Sequence, residues 1–102
     1  MAGRGTKASL SLGACPRPRE GLAFEQYEGE TIVVEPAEGV MHALTGVGPF
    51  LWERMDGSTS LEQLAQALCE RYEVELPEAR DDVLVFARKL IESGLLVLAA
   101  RG

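Results

Sequence analysis

Histidine and cysteine are almost missing from this sequence: there is one histidine, His42, and two cysteines, Cys15 and Cys69, in unrelated segments. Neither a CxxC pair nor a Cys/His spacing is present, so a structural zinc site has no ligand set. One pair of cysteines in a chain without a signal peptide reads as reduced thiols. A single histidine cannot complete a local Ser/His/Asp or Cys/His set, so nucleophilic catalysis lacks its parts. The phosphate-cradling glycine loop is absent too: Gly46-Val47-Gly48 has no third glycine and runs into Pro49. No apolar run approaches the roughly 18 residues of a membrane span, and residues 1–21 hold no continuous apolar stretch. The expectation is a cytoplasmic, non-enzymatic protein with no membrane contact, cofactor or metal.

Basic residues are also in short supply, 10 against 16 acids for a net charge of −6. Four of the bases (Arg4, Lys7, Arg17 and Arg19) fall in residues 1–21 beside a single acid, Glu20, which leaves the remainder strongly acidic. Such a body repels phosphate backbones, since nucleic-acid binding rests on lysine and arginine contacts. A winged-helix DNA-binding regulator is therefore a poor alternative, the more so because its third helix would carry more acids than bases. Aromatics are few (Phe24, Tyr27, Phe50, Trp52, Tyr72 and Phe86), so the core must be mostly Leu, Val, Ile and Ala. The 102 residues, 46% of them apolar and 25% charged, suit one modest globular domain.

Residues 1–21 mix Gly, Ser, Lys, Arg and Pro, and Cys15-Pro16-Arg17-Pro18 forbids both a helix and a central strand. They read as a flexible basic arm, with the folded domain spanning 22–98. Leu22 to Tyr27 alternates loosely, Glu28-Gly29-Glu30 turns, and Thr31-Ile32-Val33-Val34-Glu35 is rich in β-branched residues. Ala37-Glu38-Gly39 is a second turn and Val40-Met41-His42-Ala43-Leu44 a third strand, which together predict an antiparallel meander. The helical part begins at Thr45, a candidate N-cap, or slightly later, with a short helix through Phe50-Leu51-Trp52 that Asp56-Gly57 ends. Ser60 with Gln63 forms a capping box ahead of Leu61, Leu64, Ala65 and Leu68 at helical spacing. A third helix starts near Pro77 and stops at Ser93-Gly94, followed by the extended Leu95-Leu96-Val97-Leu98. The class is α+β, a three-stranded antiparallel sheet followed by three helices, in the manner of a winged helix-turn-helix.

The third helix holds more apolar surface than one packing layer needs. On a wheel of about 100° per residue, Ala79, Val83, Phe86 and Leu90 form the core-facing side. Ala87, Arg80, Ile91, Leu84 and Arg88 widen the stripe on one flank, and Asp82, Lys89 and Val85 occupy the other. A packed helix needs a stripe of only about 100°. Two readings of the excess stand side by side. Either the second helix or the tail Leu95–Leu98 covers it, or Leu84, Ala87 and Ile91 floor a groove with Arg80 and Arg88 at its rim. Strand 40–44 contains no proline, so its edge can accept an added peptide strand beside such a groove. A purely structural module, with the stripe buried between two copies, is the alternative.

The stretch Leu44-Thr45-Gly46-Val47-Gly48-Pro49-Phe50-Leu51-Trp52-Glu53-Arg54-Met55-Asp56-Gly57 resembles the pyrroloquinoline quinone biosynthesis protein D (PqqD) family. The likeness continues through Ser58 to Leu64 and Ala67-Leu68-Cys69-Glu70-Arg71-Tyr72, then Asp82 to Phe86, Leu90 and Gly94-Leu95-Leu96, covering residues 22–97. Thr45 stands where the family has Asn, and Pro49 where it often has Ala; both suit a helix start. The resemblance implies a non-catalytic peptide chaperone, or recognition element, for ribosomally synthesised and modified peptides. Its partners would be a precursor leader peptide and a modifying enzyme, such as a radical-SAM protein or a leader protease, with the chaperone a monomer or homodimer. Carried over by position, the peptide site would comprise Val40, Met41, His42, Ala43 and Leu44 with Arg80, Leu84, Ala87, Arg88 and Ile91.

Overall fold

Thr31-Ile32-Val33-Val34-Glu35 becomes the middle of a three-stranded sheet. In the computed structural model, which describes residues 10–98, β1 (Pro16–Pro18), β2 (Ala23–Tyr27), β3 (Glu30–Glu35) and β4 (Val40–Leu44) precede three helices. These are α1 (Gly48–Arg54), α2 (Leu61–Arg71) and α3 (Leu76–Glu92), and a short β5 (Leu96–Leu98) closes the chain. The sheet order is β2-β3-β4, antiparallel throughout, with Phe24 opposite Val33 and Val33 opposite His42. Glu28 and Gly29 both take positive φ, 51° and 82°, as the two-residue turn between β2 and β3 requires. Thr31, Val33 and Glu35 point inward and are buried, while Ile32 and Val34 lie half-buried on the outer face. The α+β order expected from the sequence is the order found.

The helix α1 takes the later of the two expected starts: Val47 caps it, without a side-chain hydrogen bond, and Gly46, at a φ of 62°, carries the chain round from Thr45. A correction concerns the arm. Residues 10–18 lie against the body, and Pro16–Pro18 pairs antiparallel with β5, Arg17 opposite Val97. Prolines are tolerated there because a two-stranded ribbon consists only of edges. Residues 1–9 of the expected arm, and residues 99–102, lie outside the described residues.

What draws this segment in is the start of α2. A helix begins with four N–H groups that its own turns cannot satisfy. Here all four are met: Ser60 N–H donates to Gln63 Oε1, Leu61 N–H to the Ala14 carbonyl, Glu62 N–H to the Leu12 carbonyl and Gln63 N–H to Ser60 Oγ. Local capping-box chemistry supplies two acceptors and the N-terminal segment the other two. Ahead of it the Asp56 carboxylate accepts from the Ser58 and Thr59 amides, both at 2.9 Å, which holds its pKa below the usual carboxylate value.

The core gathers Val33 from the sheet, Leu51, Trp52 and Met55 from α1 and its cap, Leu61, Leu64 and Leu68 from α2, and Ala79, Val83, Ala87 and Leu90 from α3. Leu95 and Leu96 seal it. Phe24 meets Trp52 edge-on, with centroids 5.7 Å apart, which fixes the sheet over α1. Among the described residues, no helix is long and apolar enough to cross a membrane.

Candidate functional site

As an edge strand β4 has β3 on one side and, among the described residues, no strand on the other. Its free side carries alternate N–H and C=O groups that no other strand of the sheet reaches. Across from that edge lies α3, and between them runs an open groove of about 660 Å³. Leu44 and Leu90 are buried at its base, and Phe86 lies half-buried beside them. Val85 stands out into the groove, 53% exposed. Asp82 and Lys89, both exposed, line it from the same side of α3.

Two local features shape this groove. Gly48 begins α1 beneath it, and a Cβ there would sit 3.2 Å from Phe86 Cε1 and 3.3 Å from Leu44 Cβ. Glycine thus lets α1 tuck under both side chains. At the other end, the buried Glu35 carboxylate joins His42 Nε2 at 2.7 Å and the Arg19 guanidinium at 2.9 Å. Arg19 also donates through Nε to the Gly94 carbonyl at 2.6 Å, just past α3. This chain of contacts ties His42 to the C-terminal end of α3, whereas Leu44 and Gly48 sit by Phe86. The strand β4 and the helix α3 therefore run in opposite directions along the groove.

Of the residues expected from the sequence, the structure brings His42, Ala43 and Leu44 into the groove. Val40 and Met41 belong to β4 but lie outside it, and Met41 joins Ile32 and Val34 around a shallow depression on the sheet's outer face. The helix residues Arg80, Leu84, Ala87, Arg88 and Ile91 are not in the groove. Ala87 is fully buried in the core, and Leu84 and Ile91 pack half-buried against it. Arg80 makes a two-pronged pair with Glu62 of α2, both contacts at 2.9 Å, which lowers the Glu62 pKa and raises that of Arg80. Arg88 is half-buried with its Nε lacking a hydrogen-bond partner.

The wide apolar flank is thus spent on packing α2 and β5, and the groove takes the opposite flank, about 100° around the helix from the core. Asp82, Val85, Lys89 and Ser93, which line this groove, lie off the flank that the apolar pattern singles out, and the pattern puts Phe86 on the core-facing side. One signal was available. Val85 is an apolar residue standing alone on a polar flank, where core packing gives it no role.

The fold and groove define an α+β domain of three strands and three helices whose edge strand is left open opposite its last helix. The family model of coenzyme PQQ synthesis protein D (PqqD) matches residues 30–96, and the chain belongs to that family. The match runs from β3 through α3 and so contains both walls of the groove. No curated protein matches the chain. Among solved structures, TbiB1 in complex with the TbiA(beta) leader peptide is similar at 21% identity and a TM-score of 0.72, over 84% of this chain and 98% of that one. A lasso peptide synthetase B1 complexed with the leader peptide is similar at 24% identity and a TM-score of 0.75, over 82% and 99%. At these identities the likeness is one of fold.

Proposed function

We propose that this protein captures the leader segment of a ribosomally synthesised precursor peptide and presents it to a modifying enzyme, without catalysing a step itself. The observation that carries this reading is the open edge of β4 facing an apolar-based groove along α3. A leader laid there in extended form gains backbone hydrogen bonds from β4, while every second side chain turns into the groove. The first property gives affinity without regard to sequence, and the second gives selection. Both similar solved proteins hold a leader peptide, which supports the reading. The modifying enzyme, a radical-SAM protein or a leader protease, is the partner to which the bound leader would be handed.

The reading is tested by fluorescence polarisation with the labelled leader half of a short peptide encoded beside this protein's gene. Wild-type protein is expected to bind saturably. Val85→Glu, which places a charge in the groove without touching the core, is expected to weaken binding at least about tenfold, the order of effect of a buried unpaired charge. Equal binding by the two proteins would contradict the site.

A further inference from the structure

The groove is electrically polar along its length. Asp82 and Lys89 sit two turns apart on one side of α3, about 10 Å along its axis. Neither makes an ion pair among the described residues, whereas Arg19 pairs with Glu35 and His42 Nε2 hydrogen-bonds the same carboxylate. Glu78, one turn before Asp82 and exposed, lies outside the groove, so Asp82 is the acid that lines that end. At the opposite end the Gly94 carbonyl is already taken by Arg19, and Lys89 is the charged residue that lines the groove there, the exposed Glu92 lying outside the lining. Between the two charges lie Val85 and Phe86.

Resting on the leader-capture reading, we infer that the groove selects a leader segment of the pattern basic–x–apolar–x–acidic. The spacing follows from strand geometry. Side chains facing α3 from an added strand recur every second residue, about 6.6 Å apart, so two such steps span about 13 Å. That exceeds the axial separation of Asp82 and Lys89 by little enough for long side chains to close. The middle of the three inward residues then falls over Val85 and Phe86, where an apolar side chain gains most. The polarity follows from strand direction. Both other pairings in this sheet are antiparallel. A peptide added antiparallel to β4 runs along α3 from its Asp82 end to its Lys89 end. The basic residue therefore comes first in the peptide and the acidic one last.

The test is a selection of random twelve-residue peptides displayed on phage against the full chain, with a counter-selection on Val85→Glu to remove binders outside the groove. The groove-dependent peptides are expected to share basic–x–apolar–x–acidic. The double reversal Asp82→Lys with Lys89→Glu is expected to select the opposite order. A peptide chosen by the wild type should bind the double variant about tenfold more weakly, from two lost pairs and two new like-charge contacts, and recover when its own charges are exchanged. Groove-dependent peptides with no charge pattern, or the same pattern for both proteins, overturn the inference while leader capture stands. If no recovered peptide depends on Val85, leader capture fails and the pattern fails with it.

Discussion

Glu35 is the residue on which one end of the groove rests. Its carboxylate is buried yet accepts from two side chains of different segments, Arg19 ahead of the sheet and His42 within it. Removing Glu35 strands the Arg19 guanidinium without its counter-charge and His42 Nε2 without its hydrogen-bond partner, so Glu35→Ala is expected to lower unfolding free energy by about 2 kcal/mol in urea titration. A loss below a few tenths would show that the cluster is incidental. Thr31 is the opposite case: it is fully buried and its hydroxyl has no partner among the described residues. Thr31→Val keeps the shape and removes an unsatisfied polar group, so it is expected to raise stability by about 1 kcal/mol in the same titration. Asp56 and Glu62 contribute to the acid dependence of stability. Both carboxyls are held below their ordinary pKa, Asp56 by the Ser58 and Thr59 amides and Glu62 by Arg80. Their stabilisation is therefore complete above the ordinary carboxylate range and is lost as pH falls through the depressed folded values. Melting temperature should be flat just above about pH 5 and decline below it. Asp56→Asn and Glu62→Gln should each make that decline shallower.

Elements show why part of the molecule was legible in sequence and part was not. The β-branched run of β3, the Ser60–Gln63 capping box and the leucine spacing of α2 are local signals, and each forms where its pattern placed it. The face of α3 was not local information. Its apolar flank could close a groove or meet another element, and the choice depends on where α2 and β5 lie. The Arg80–Glu62 pair shows the outcome, because it anchors the Arg80 side of α3 to α2. Leu84→Glu and Val85→Glu, adjacent in sequence, should therefore differ in kind. The first puts a charge into the packed flank and is expected to cost about 3 kcal/mol of stability. The second is expected to leave the urea midpoint nearly unchanged and to abolish peptide binding. Similar stability for the two variants would contradict this assignment of the faces.

At the scale of the whole molecule, the segment 10–18 connects what the sequence pattern separates. Its prolines and lack of periodicity read as an arm, since nothing local announces that the Leu12 and Ala14 carbonyls will complete the start of α2. Only the closed fold, with β5 returning beside β1, makes those partners available. The family match begins at residue 30 and does not include this segment. By contrast, the edge strand and its opposing helix were both anticipated as elements, even though the helix presents its other flank.

The central claim, that a leader strand adds along β4 against the Val85 flank of α3, is tested most directly by backbone amide shifts during titration with the leader half of a neighbouring precursor peptide. The account expects saturable shifts at residues 40–44 and at Asp82, Val85, Phe86, Lys89 and Ser93, with Arg80, Leu84 and Arg88 little changed. Saturable shifts centred on Arg80, Leu84 and Arg88, with β4 silent, would contradict it.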